Sequence, residues 1–186
     1  IELHRSSAIS KVNAEALLTN WEVGQYISIQ LKSSHWGTKV VSDLANYLQC
    51  QNPKRRGFGK RHLYNMVKFY ETYSNGEFIN IVESLKLPEI VQSSIAQLED
   101  NRKHKEFTQL PIAQLNATLT TMPSVLSVIP FTSHIEIMNR CRTDEERIFY
   151  MLYAAHQRLK TEELRRCIVN QTYSSLMDKG KMLSPK

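Results

Sequence analysis

Apolar residues return every three or four positions from Ile9 through Val12, Ala16, Val23, Ile27 and Leu31, with Leu17, Trp21 and Gly24 beside that stripe. The spacing is that of one long amphipathic helix. Ser33, Ser34 and Gly37 break it, and a second apolar face follows at Val40, Val41, Leu44, Ala45 and Leu48. Pro53 and Gly57-Phe58-Gly59 make a turn-rich connector. A third helix is predicted to start near Lys60, with Leu63, Met66, Val67, Tyr70 and Tyr73 on its core side and Arg61, Tyr64, Asn65 and Lys68 on the other. The pattern implies a mainly α fold.

The C-terminal half carries the same period between clearer punctuation. Ser74-Asn75-Gly76 suits a left-handed cap, and Phe78, Ile79, Ile81, Val82 and Leu85 fit a short helix. Ile90 to Leu98 fits another, and residues 100–106 read as a polar loop. The β-branched runs Phe107 to Ile112 and Val125 to Ile129 could be short strands, which leaves room for a small β-hairpin wing. Ser133-x-x-Glu136 and Thr143-x-x-Glu146 have the form of capping boxes, so a helix should open at each. The second carries Ile148, Met151 or Leu152, Ala155 and Leu159. A last helix from Thr161, with Glu162 and Glu163 in its first turn, is expected to bury Leu164, Ile168, Thr172 and Leu176. This divides the chain into N-terminal helices and a candidate helix-turn-helix (1–76), a connecting region (77–128), C-terminal helices of the same compact unit (129–177) and a linker-like tail (178–186).

With 41% apolar and 23% charged residues among 186, the chain can build a core and is neither wholly disordered nor collagen-like. No apolar run approaches the roughly 18 residues of a membrane span, and the N-terminus has no signal-peptide core. Cys50, Cys141 and Cys167 form no CxxC pair, which suits a reducing compartment, so a cytoplasmic location is expected. A chain that begins at Ile1 is expected to be a piece of a longer protein. The six histidines lack metal-ligand spacing, and Cys50 is expected to be a small half-buried residue. His134 is expected to be structural. No phosphate loop is present, and the acidic pairs all fall at helix starts, where they have capping and dipole work. No catalytic residue, metal or cofactor is assigned.

Charge is the feature that points to a partner. Lys54, Arg55, Arg56, Lys60, Arg61 and Lys68 fall within 15 residues free of acid, and elsewhere 18 basic residues balance 18 acidic ones. The whole net charge of +6 therefore sits in one stretch, and a polyanion would be drawn there. A solvated basic loop is the plainer alternative. Helix, basic turn and helix make a candidate helix-turn-helix with an expanded turn, in which Arg61 and Asn65 have the groups that read guanine or adenine edges. The candidate DNA-binding set is Lys54, Arg55, Arg56, Lys60, Arg61, His62, Tyr64, Asn65 and Lys68.

The run NWEVGQYI (Asn20 to Ile27), the run HWGTKVVSDLANYLQ (His35 to Gln49) and the run PKRRGFGKRHLYNMVKFYETY (Pro53 to Tyr73) resemble the N-terminal domain of YhcG-type bacterial proteins of the PDDEXK nuclease superfamily. Trp21, Gly24, Trp36, Gly37, Leu44, Leu48, Gly57, Phe58, Leu63, Met66, Phe69 and Tyr70 occupy that domain's pattern positions. Val128 to His134 is similar to its I-P-W-x-x-H segment. The run ERIFYMLYAAHQRLKTEELRRCI that ends at Ile168 is similar to its later helices. Gly59 stands where the family usually has Ser, His62 where it has Asn, and Phe131 and Leu159 where it has Trp. The resemblance implies a helical domain with a winged-helix-like DNA-binding core, ahead of a C-terminal nuclease domain that this chain does not include.

The expected function is a DNA-binding and targeting module that does not itself hydrolyse DNA. Its expected partners are duplex DNA and the nuclease domain of the full-length protein, with a homodimer as an option and no membrane. The rival reading is a protein-interaction or oligomerisation module in which Tyr64 and Tyr70 pack on a partner. RNA binding lacks an RNP or GXXG signature.

Overall fold

A computed structural model describes residues 2–33, 39–51, 57–85 and 121–182, with side chains for 13–32, 39–51, 57–85 and 121–177. The described residues form eight α-helices, one 3-10 helix and no strand: α1 (Glu2–Ser33), α2 (Lys39–Gln51), α3 (Lys60–Tyr73), α4 (Gly76–Ser84), the 3-10 helix (Ser124–Val128), α5 (Phe131–Arg140), α6 (Asp144–Gln157), α7 (Thr161–Val169) and α8 (Thr172–Met182). The expected elements at Trp36-Gly37, 90–98, 100–106 and 107–112 lie outside the described residues.

Helix α1 is the long helix that the apolar period predicts, but its buried side is rotated from the expected stripe. Ala16 is exposed and Val23 and Leu31 are half-buried, while Leu17, Trp21, Gly24, Ile27 and Ser28 are buried. Glycine and serine lie in the contact because α1 and α3 touch backbone to backbone. A Cβ on Gly24 would sit 2.1 Å from the Met66 carbonyl oxygen. Only a residue without a side chain permits that approach.

Two apolar clusters flank this contact. The smaller joins Ile27, Val41, Ala45, Leu63, Met66 and Val67, with Phe58 packed against it. The larger gathers Leu17, Trp21, Phe69, Tyr73 and Phe78 with Leu126, Ile137, Tyr150, Met151 and Leu164. Helix α3 contributes to both, and Phe131 borders both. Rings dominate the larger cluster: Trp21 meets Phe69 and Tyr70 edge-on at 5.9 and 5.0 Å, and Phe69 meets Phe131 at 5.3 Å. Such edge-to-face pairs favour specific orientations.

Several helix ends differ from expectation, each for a local reason. Asn75 is not left-handed; its extended backbone caps α4, with Oδ1 accepting from the Phe78 amide at 2.7 Å. Its Nδ2 donates to the Thr72 carbonyl at 2.9 Å, so one side chain closes α3 and opens α4. Val125 to Ile129 is not a strand. Pro123 precedes a 3-10 turn there, in which the Ser127 hydroxyl donates to the Ser124 carbonyl and Val125 and Leu126 turn into the core. Helix α5 starts at Phe131 after Pro130, which places Ser133 inside the helix rather than at its cap. Ser133 is buried, with its Oγ 3.1 Å from Thr161 Oγ1.

The Thr143 cap is present, its Oγ1 accepting from the Glu146 amide, while Glu146 reaches back to the Arg142 amide. The expected last helix is two. Gln171 is left-handed at φ 53°, and the buried Tyr150 hydroxyl spans the break, accepting from the Tyr173 amide at 3.1 Å and donating to the Cys167 carbonyl at 3.4 Å. Leu164 and Ile168 are buried as expected, but Thr172 is only half-buried and Leu176 is exposed. Residues 178–182, read as linker-like, continue α8. No helix among the described residues is long and apolar enough to cross a membrane.

Candidate nucleic-acid interface

The approach to α3 is built by the Gly-Phe-Gly turn. Gly57 is left-handed at φ 114°, Phe58 anchors in the smaller cluster, and Gly59 is the N-cap of α3 in extended conformation. Glycine at 59 supplies no side-chain acceptor, so no cap bond to the first turn is made by that residue. Lys60 and Arg61 occupy the first turn, which combines two cations with the positive end of the helix dipole.

The structure sorts the nine expected contact residues. Lys60, Arg61, Tyr64 and Lys68 are exposed on one stripe of α3, and Asn65 is half-buried at its edge. His62 is different. Its ring is half-buried edge-on against Phe131 at 5.3 Å, and burial lowers its pKa, so the imidazole is a neutral packing group. Lys54, Arg55 and Arg56 lie outside the described residues. Among the described residues, Lys60, Arg61 and Lys68 have no carboxylate partner. The acid on the same helix, Glu71, is engaged by the Ser28 hydroxyl at 2.8 Å and approached by Lys32 at 3.9 Å.

One neighbour was invisible in the sequence. The Lys68 ammonium donates to Asn139 Oδ1 at 2.8 Å, joining α3 to the last turn of α5 across 71 positions of chain. Periodicity reports the faces of single helices and carries no signal for such a pair.

Under the stripe, α3 and α5 are locked by a buried polar contact. His134 is fully buried, with Nε2 2.8 Å from the Leu126 carbonyl and Nδ1 3.3 Å from the Tyr73 hydroxyl. The carbonyl can only accept, so Nε2 carries the proton and Nδ1 accepts from Tyr73. Burial pushes the His134 pKa down to about 4, and the Tyr73 hydroxyl well up, so both stay neutral. The expectation of a structural His134 holds.

The remaining reactive groups are occupied or dispersed. Asp144 pairs with Arg147, and the Asn75 amide reaches Asp144 at 3.4 Å. Glu163 accepts from the Lys160 amide at 2.7 Å. Burial pushes the Cys141 thiol up to about 12, whereas Cys50 is exposed rather than half-buried. Among the described residues no three His, Cys, Asp or Glu side chains converge as a metal site would require.

No curated protein and no solved structure matched the chain in comparison. The family model described as DUF1016 N-terminal domain matches residues 1–175, which cover Trp21 and Gly24 on α1, the Gly-Phe-Gly turn and all of α3. The chain belongs to the DUF1016 N-terminal domain family, the YhcG-like N-terminal domains.

Proposed function

We propose that this domain binds duplex DNA through the outer stripe of α3 and the basic segment that precedes it, as the targeting half of a larger bacterial nuclease-like protein. One observation carries the reading: Lys60, Arg61 and Lys68 share an exposed stripe with Tyr64 and lack carboxylate partners among the described residues. Cations left unpaired on one surface attract the phosphate backbone and release its counterions on contact. In this reading α2 and α3 act as a helix-turn-helix with an expanded turn. Lys60 and Arg61 take phosphates at the α3 N-terminus, and Asn65 at the stripe's edge is the group with the geometry to read adenine. His62 supports the helix from below. Hydrolysis belongs to the nuclease domain that the resemblance implies, since Asp144, Glu146 and Glu163 here are engaged in pairing and capping.

The test is fluorescence anisotropy with a labelled duplex over a salt series. Reversing Lys60 and Arg61 to Glu should weaken binding to every sequence and flatten the slope of log affinity against log salt by about 0.9 per phosphate lost. Melting curves should barely move, because both side chains are exposed. A folded charge-reversed protein with the parent's affinity and slope would overturn the reading.

A protein-docking role is favoured by a different observation. Val169, Leu176 and Met177 leave 60%, 42% and 44% of their surface exposed on α7 and α8. Tyr70 does not contribute to it, being buried against Trp21. A mass that rises with concentration in the absence of DNA would support this second role.

A further inference from the structure

We infer that the DNA contact, on the reading proposed above, crosses the seam between α3 and α5, with Asn139 as the positioning residue that aims Lys68. Helix α3 is flanked by α1, α2 and α5, and buries Leu63, Met66, Val67, Phe69, Tyr70 and Tyr73 among them. Its outer stripe of Lys60, Arg61, Tyr64 and Lys68 stays exposed, with the end of α5 beside Lys68. A duplex seated on that stripe meets side chains that reach outward from α3 and from the element beside it.

The element beside Lys68 is the end of α5. Asn139 is exposed and offers an uncharged acceptor 2.8 Å from the Lys68 ammonium. Such an acceptor fixes the direction of a flexible lysine and leaves its charge intact; a carboxylate in the same place would cancel it. A hydrogen bond between two exposed side chains adds little to folding stability, so its effect lies in orientation.

The surrounding acids do not neutralise this seam, because Glu71 is held by Ser28 and Lys32 and Glu136 is paired with Arg140 at 2.8 Å. The position of Asn139 is also fixed from below. Phe131 on α5 packs on Phe69 and His62 of α3, and His134 bonds Tyr73. Lys68 is therefore oriented before DNA arrives, which removes part of the ordering cost of binding.

The experiment uses the whole chain and a labelled duplex of arbitrary sequence, titrated at several salt concentrations, with melting curves as the folding control. Asn139→Asp should weaken binding roughly tenfold and flatten the salt slope by about 0.9, because it keeps the contact and cancels the charge. Asn139→Ala should weaken binding roughly threefold with the slope unchanged, the effect of freeing one long side chain. In a Lys68→Ala background, Asn139→Ala should have no further effect. The inference is overturned if both Asn139 variants bind like the parent while the Lys60 and Arg61 charge reversal weakens binding, an outcome that leaves the DNA reading standing. It is equally overturned if Asn139→Ala costs the same factor without Lys68. If the Lys60 and Arg61 reversal also binds like the parent, the DNA reading falls and the seam with it.

Discussion

The two apolar clusters that meet at α3 are held by different physics. The smaller one, between α1, α2 and α3, buries aliphatic side chains and Met66 with Phe58 packed against them, and its geometry is set by the backbone approach at Gly24. The larger one is set by rings and by buried hydrogen bonds from His134, Tyr73 and Tyr150. A steric seam answers to volume. A polar core answers to protonation and to the loss of single atoms.

Substitutions can separate the two. Gly24→Ala should be the most damaging, costing about 3 kcal/mol, since the new methyl meets a carbonyl rather than a movable side chain. A thermal melt checks it, and a neutral result would mean that α1 and α3 slide apart freely. Acid should strike hardest beside the larger cluster, where His134 is fully buried. His134 titrates near 4 when folded and near 6.5 when unfolded, so its contribution is complete above pH 6.5 and falls as the pH drops toward 4. Between pH 6.5 and 5 the loss is about 2 kcal/mol, and a His134→Gln protein should show a flatter dependence of Tm on pH over that window. Tyr150→Phe should cost about 1.5 kcal/mol by leaving the Tyr173 amide and Cys167 carbonyl without their shared partner, with little change in pH dependence.

The smallest expected effect is a gain. Gly59→Ser should stabilise the protein by about 0.5 kcal/mol, because the backbone at 59 already has N-cap geometry and the added Cβ meets nothing closer than Gln49 Nε2 at 3.5 Å. Urea unfolding with an unchanged slope would register it. DNA affinity that also changed would mean that the open helix end, as well as the lysines, takes part in binding.

These contrasts explain what the sequence disclosed. Helix α3 was readable in full orientation because large apolar side chains and charges divide cleanly around it; of its buried residues, the period pointed to all but Phe69. Helix α1 was legible as a helix but not in phase, because Gly24 and Ser28 make the contact and carry no hydropathy signal. Thr143 announced its cap, while Ser133 misled because Pro130 had already opened the helix. Of the candidate site, the exposed stripe was legible and the bond from Lys68 to Asn139 was not, since it depends on how α5 crosses α3.

The close passage at Gly24 has a consequence for how this domain tolerates change. Where side chains set the distance between two helices, each replacement shifts the helices a little, and a surface carried by one of them drifts with it. Here the distance is set by a carbonyl oxygen against a bare Cα. Half-buried positions around it, such as Val23, Leu31 and Leu44, can exchange one aliphatic group for another without altering how far α3 stands from α1. In a saturation library, position 24 should keep only glycine while those neighbours accept several residues, and the bearing of Lys60 to Lys68 relative to α1 should be the same in every survivor.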